Sequence, residues 1–401
     1  MNKKNLFKSR YLAAFALPAA LALSACGSSI SSSADEDSDS ALNIGVIVPA
    51  TGPVSSAGLA MQAGFELAVR EINEEGGVNG QEISYEIQDD GGDPATSTQI
   101  AQRYAQDPET DMLFGTITGD TGSAVVEVAD QNELPFATAI LGDPTVCSPY
   151  AWPFGESNRQ LAVPMIESLI ENYGPRIAFV GSDYNFPHDM AEAAKEVLED
   201  TGGELVAEEY SPQGTTDFES TIGRLANSEP DAVLSYVVGS DAVTFTHQAA
   251  EFGLLTPDVG YIGAPVDADY YPAVAEQVSG REHIVRWADG LDHPDSLAFV
   301  DAYQEETGND APVAEVAANA YFAVKFIAAA LNDKGANSSD DIQEALTSFE
   351  LDSALGAGTH FVTDDEDNHL FQANMLVAEA GETYEITQDL GILENMGPSC
   401  G

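Results

Sequence analysis

Apolar and polar residues alternate along most of this chain in two rhythms, one with the period of strands and one with the period of helices. Leu42 to Val48 (Leu-Asn-Ile-Gly-Val-Ile-Val) is almost continuously apolar, as in a strand covered on both faces. Ala60, Gly64, Ala68 and Ile72 then recur at every fourth position, which predicts a helix over 57–75 that stops at Gly76-Gly77. Strands follow over 83–87, 111–115 and 134–140, with helices over 94–106 and 120–132 between them. The stretch Pro144 to Gly155, rich in Pro, Gly and aromatics, interrupts the alternation. It resumes with helices over 159–173, 188–201, 217–227 and 240–252, and strands over 176–180, 204–210, 232–238 and 259–263. Helices are predicted near 295–308, 312–333 and 338–348, and two last strands near 370–378 and 382–388. Strand followed by helix, many times over, means parallel sheets with crossover helices. Two such runs predict an α/β chain of two doubly wound parallel-sheet lobes, and 401 residues suit two cores of roughly 150 residues each.

Residues 1–26 break the pattern. A basic head (Lys3, Lys4, Lys8, Arg10) precedes a short apolar run from Tyr11 to Leu23 and then Leu23-Ser24-Ala25-Cys26. This is the layout of a secretory signal, and the run is too short for a stable membrane span. Its small residues ending in Cys resemble a bacterial lipobox, which implies lipid on Cys26 and an extracytoplasmic, membrane-anchored protein. Each buried methylene of such an anchor adds about 0.8 kcal/mol. Residues 27–41 are rich in Ser and Asp and read as a flexible tether. The apolar stretch Val316 to Leu331, interrupted by Asn319 and Lys325, reads as a buried helix.

Composition narrows the class of partner. The chain carries 67 Asp and Glu against 14 Lys and Arg, a formal charge of −53, which excludes nucleic acid as a natural partner and suits a saline setting. With Cys26 given to lipid, Cys147 and Cys400 remain, an even pair in an oxidising location that favours a disulfide. The six His show no metal-ligand spacing, and neither a nucleophile elbow nor a P-loop is present, so no cofactor, metal or catalytic residue is expected.

Open parallel sheets bind ligands beyond the C-terminal ends of their strands, where helix N-termini present free N–H groups. That rule selects four loops: Ala50–Ser56 with Ser55 and Ser56, Gly115–Thr121, Ser182–Phe186 and Gly239–Asp241. Hydroxyl, Gly and aromatic residues dominate them, groups that hold small polar solutes by hydrogen bonds and stacking.

Asn43-Ile-Gly-Val-Ile-Val-Pro-Ala-Thr-Gly-Pro53 and the helix closing on Glu74-Glu-Gly-Gly-Val-Asn-Gly80 resemble the periplasmic binding proteins of branched-chain amino-acid and amide importers. Asp89-Asp-Gly-Gly-Asp-Pro94, Val180-Gly-Ser-Asp-Tyr-Asn-Phe-Pro187, Glu209 to Phe218 and Asp367-Asn-His-Leu-Phe371 are similar to its amide- and urea-binding branch. The resemblance implies a type I fold whose lobes, joined by three crossings near 150–156, 285–290 and 356–362, close over a solute. It implies a first lobe of 42–152 plus 288–358, a second of 153–287 plus 359–390, and a tail of 391–401. As ligand-binding positions it implies Tyr184 and Phe186 framing an amide, Val238 and Gly239, the loop Thr118, Gly119, Asp120 and Thr121 (with Gly119 where the branch has serine), Thr138 and Ala139, and Trp287. Amino-acid-binding relatives carry a carboxylate just after the strand ending here at Gly263. This chain has Ala264-Pro265 there, with Asp267 slightly late, which tilts the reading toward a neutral amide or urea. The implied partners are a small polar solute and the permease and ATPase subunits of an ABC importer, with the binding protein itself a monomer. Two rival readings are a ligand sensor acting on a regulatory partner and an amidase-type enzyme.

Overall fold

The computed structural model describes residues 42–142, 146–263, 271–308, 311–335, 339–364, 367–381 and 383–393. Cys26, the tether, Ala264-Pro265, Asp267 and Cys400 lie outside them.

The first run of elements is β1 (Leu42–Val48), α1 (Ser55–Glu74), β2 (Ile83–Asp89), α2 (Pro94–Ala105), β3 (Met112–Gly115), α3 (Gly119–Asn132), β4 (Phe136–Thr138) and β5 (Ala151–Pro153). The strands form one parallel sheet in the order β2-β1-β3-β4-β5. Period-two alternation divides β1 between two cores: Leu42, Ile44, Val46 and Val48 enter one, and Ile47 enters the other. Helices therefore cover both faces of the sheet. The second run is α4 (Asn158–Asn172), β6 (Arg176–Ser182), α5 (Asn185–Thr201), β7 (Glu204–Ser211), α6 (Glu219–Asn227), β8 (Ala232–Tyr236), α7 (Ser240–Glu251), β9 (Gly260–Gly263), α8 (Tyr271–Val278) and β10 (Glu282–Val285). Its parallel sheet runs β7-β6-β8-β9. Ile177 and Phe179 face one core, Ala178 and Val180 the other. Both lobes are doubly wound, as the alternation predicts.

The remainder is α9 (Pro294–Thr307), α10 (Glu315–Lys334), α11 (Ser339–Thr347), β11 (Glu350–Ser353), β12 (Gly356–Thr363), β13 (His369–Gln372), β14 (Asn374–Ala380) and β15 (Tyr384–Ile392). The helix predicted across Val316–Leu331 is α10, buried along almost all its length against α1. Gly64 is required at that crossing, since a Cβ there would stand 2.1 Å from the Ala317 carbonyl oxygen. No helix among the described residues is long and apolar enough to cross a membrane.

Five elements were not predicted: β5, α8, β10, β11 and β12. β5 has only three residues and ends in Pro153, which an edge strand tolerates. The antiparallel strands β11 and β12 turn on glycine, with Gly356 and Gly358 at positive φ. The passages between the cores are also informative. Phe154 packs with the first lobe and Leu161 with the second, Ile284 with the second and Trp287 with the first. Phe361, Phe371 and Ala373 still pack with the first lobe, and Met375 is the first residue to join the second. The last passage is therefore at 373–375, later than the 356–362 expected. The aromatic ladder of Phe154, Phe326, Phe361 and Phe371, with ring centroids 4.8 to 5.9 Å apart, holds β12 and β13 on the first core. Cys147 is disulfide-bonded.

Candidate functional site

A cavity of 190 Å³ lies between the two cores. That is far more than a buried water needs (about 10–15 Å³) and less than the roughly 300–1,000 Å³ of sites for drug-sized molecules. It suits a solute of several heavy atoms. Its mouth is made by strand-end loops, as the parallel-sheet rule requires. Val54 and Ala57 border it at the start of α1, Thr118 and Gly119 at the start of α3, Tyr184 and Phe186 at the start of α5, and Val238 and Gly239 before α7. The loops of the two lobes approach closely: a Cβ on Gly239 would stand 3.2 Å from the Pro53 carbonyl oxygen, and Gly239 has a positive φ.

The structure divides the expected residues into two groups. Thr118, Gly119, Tyr184, Phe186, Val238, Gly239 and Trp287 line the cavity. Tyr184 and Phe186 stand 6.3 Å apart between ring centroids, and Phe186 packs edge-on against Tyr236 at 5.5 Å, so the second lobe contributes an aromatic wall. Trp287 donates Nε1–H to the Ser296 hydroxyl at 2.9 Å, which fixes its ring against the apolar side. Ser55, Ser56, Asp120, Thr121, Thr138 and Ala139 do not line it. The buried Thr121 hydroxyl is occupied in its own turn by the Thr116 hydroxyl and by the Thr118 hydroxyl and carbonyl oxygen. The Thr138 hydroxyl accepts from Leu141 N–H at 3.4 Å, and its carbonyl accepts from Phe154 N–H at 2.7 Å, so this strand end braces the passage between the lobes.

Sequence reasoning missed the floor. Glu156, after β5, and Glu315, at the start of α10, line the cavity, and Arg286, after β10, is buried against Glu156, so the floor and its support come from two of the chain's passages between lobes and from one buried helix. Arg286 is 1% exposed, with Nη2 3.5 Å from Glu156 Oε2 and its guanidinium 5.6 Å from the centre of the Phe371 ring. Glu315 Oε1 accepts the backbone N–H of Arg286 at 2.6 Å and of Trp287 at 3.1 Å. Burial, then the nearby charge of Glu156, pushes the Glu315 carboxyl up to about 8, against those two N–H groups and the Arg286 guanidinium. That shift favours the neutral acid of Glu315 beside the oppositely charged Arg286 and Glu156. One turn along α10, Asn319 also lines the cavity, 1% exposed. Two signals pointed here: Asn319 as a polar break in an otherwise apolar helix, and Arg286 as a base within Ile284–Ala288 of a base-poor chain.

Residues 41–385 match the family described as periplasmic binding protein. This chain belongs to that family. The binding protein is similar to the Leu/Ile/Val-binding protein BraC3 of Rhizobium johnstonii, 25% identical over 337 residues that cover 81% of this chain and 88% of the relative. In fold it is similar to a solute binding protein of an ABC transporter from Rhodopseudomonas palustris, solved in complex with 3,4-dihydroxybenzoic acid. That likeness has a TM-score of 0.78 at 22% identity and covers 88% of this chain and 98% of the other. It is likewise similar to the branched-chain amino acid transporter substrate binding protein LivJ of Streptococcus pneumoniae, solved with isoleucine, with a TM-score of 0.74 at 21% identity and 88% and 99% coverage. The family expected from the motifs is the one found, and this binding protein has its type I two-lobe fold.

Proposed function

We propose that this binding protein is the solute-capturing component of an ABC importer, and that it takes a small uncharged solute bearing a carboxamide or urea group. The observation that carries the reading is the 190 Å³ cavity between two doubly wound lobes, with aromatic and aliphatic walls and a polar floor of little net charge. Arg286 and Glu156, 3.5 Å apart, offset each other's charge on that floor. Closure of the lobes hides the solute, and the permease and ATPase receive the closed form. Lipid on Cys26 holds the protein outside the membrane as a monomer, its carboxylate shell adapted to salt. With Cys26 lipidated, Cys400 is left as the disulfide partner of Cys147, which mass spectrometry of non-reduced peptides would test.

A second reading, a branched-chain amino acid, is favoured by the Leu/Ile/Val-binding relatives. A thermal-shift screen of urea, short amides and branched-chain amino acids separates the two, since a ligand at a hundredfold excess over its Kd stabilises by about 2.7 kcal/mol. The protein carries out no chemistry on its solute: incubation with acetamide or urea is expected to release no ammonia, and steady ammonia release would sink the transport reading.

A further inference from the structure

Arg286 touches all three passages between the lobes. It lies on the second, between Ile284 of one core and Trp287 of the other. Its Nη2 stands 3.5 Å from Oε2 of Glu156 on the first passage. Its guanidinium lies 5.6 Å from the centre of the Phe371 ring, just before Ala373 at the third. The contact with Glu156 is incomplete. Nε, Nη1 and Nη2 of Arg286 and Oε2 of Glu156 have no hydrogen-bond partner among the described residues. Charge-assisted bonds of this kind run to about 2.7–2.9 Å, and arginine often forks two of them onto one carboxylate. None of the Arg286 side chain is exposed. Burial favours the neutral acid at Glu315, which leaves Glu156 as the opposing charge. Two charges withdrawn from water without those bonds are strongly disfavoured.

The two ends of the contact belong to different lobes. Glu315 Oε1 accepts the backbone N–H groups of Arg286 and Trp287, which ties Arg286 to α10 in the first core. Glu156 directly precedes Ser157, whose hydroxyl accepts from Gln160 N–H at 3.2 Å as the cap of α4. That helix packs in the second core through Leu161, Ala162 and Met165. Rotation of one lobe against the other therefore changes the separation of the pair. In this structure the mouth is narrow, since a Cβ on Gly239 of the second lobe would stand 3.2 Å from the Pro53 carbonyl oxygen of the first.

We infer that Arg286 and Glu156 form a spring at the base of the cleft that resists closure while no solute is present. Opening lets water reach the two charged groups, or lets the guanidinium fork onto the carboxylate. Closing leaves them dry and without hydrogen bonds. The unliganded protein therefore rests open, and the contacts of the solute supply the free energy that shuts it. Arg286 is a positioning residue that sets affinity through the lobe equilibrium, because a binding-competent form that is rarely populated weakens apparent affinity by its fraction. The spring presupposes lobes that close over a solute, as in the transport reading, and adds how that closure is held back.

The test compares the full unliganded protein with Arg286→Met combined with Glu156→Gln by small-angle scattering, then titrates both with isovaleramide and leucine by calorimetry. The neutral variant should show a smaller unliganded radius of gyration. It should also bind whichever probe the wild type binds about threefold tighter or more, since affinity scales with the fraction already closed. Should that variant fail to fold, Arg286→Gln combined with Glu156→Gln serves with the same expected changes. An unchanged or larger unliganded radius would overturn the spring and leave the solute reading intact. A smaller radius without tighter binding of a bound probe would also overturn it. A smaller radius with neither probe bound would keep the spring and remove the amide and amino-acid readings of the solute.

Discussion

The strand-end loops and the floor border the same cavity but come from opposite parts of the fold. The loops (Thr118-Gly119, Tyr184 to Phe186, Val238-Gly239) end parallel strands and open helices, so topology alone puts them at the mouth. The floor is made where the chain leaves one lobe for the other, at Glu156 and Arg286, and where a buried helix begins, at Glu315. The loops line the cavity chiefly with apolar and aromatic groups. The floor supplies charge and amide groups in a place from which water is largely excluded, where each interaction weighs more. The difference teaches that the cavity's apolar walls and its charged floor are carried by separate elements, and that the floor lies on segments that join the two cores.

The comparison is broken most severely at the floor. Arg286→Met should cost about 3–5 kcal/mol in urea unfolding, because it strands the Glu156 carboxylate, while Arg286→Met with Glu156→Gln should recover much of the loss. A single variant as stable as wild type would show that the pair does not hold the floor together. Next is pH. The folded protein holds a proton on Glu315 up to about 8, whereas the unfolded chain releases it near 4.5. Stability from this group is therefore complete below about pH 4.5 and declines as pH rises toward 8, by about 2 kcal/mol between pH 6 and 8. Glu315→Gln keeps an oxygen for the Arg286 and Trp287 N–H groups and should flatten that slope, as urea titrations at the two pH values would reveal. An unchanged slope would mean Glu315 is ionised when folded.

The mouth should respond more mildly in stability and more plainly in affinity. Tyr184→Ala is expected to weaken solute binding about tenfold, near 1.4 kcal/mol, with little change in melting temperature. Calorimetry giving equal affinities would take Tyr184 out of the site. Gly239→Ala should cost about 1 kcal/mol from its positive φ and also hinder approach to Pro53. Small-angle scattering with and without solute would detect impaired closure, and a wild-type change in radius would count against that role.

Much of the fold was legible because period-two and period-four patterning follows from burial on sheets and helices; β1 with its two-sided core and α10 with its apolar length are examples. The short elements were not, since β5 has too few residues to show a period and ends in proline. At the site, topology located the loops but could not tell which hydroxyls face inward: Thr121 and Thr138 spend their oxygens on local turns and bracing. The floor stayed hidden because Glu156, Arg286 and Glu315 are far apart in the chain and meet only through tertiary folding. Among 67 acidic residues, no local pattern marks the two that meet there.

The late return of the chain to the first lobe bears on how the molecule matures. Leu42 in β1 and Phe371 in β13 belong to one core, and Met375 completes the other. No N-terminal fragment that stops before β13 can finish either half, and such distant pairings form slowly. A nascent chain emerging from the ribosome thus cannot complete either core until its final segment is made.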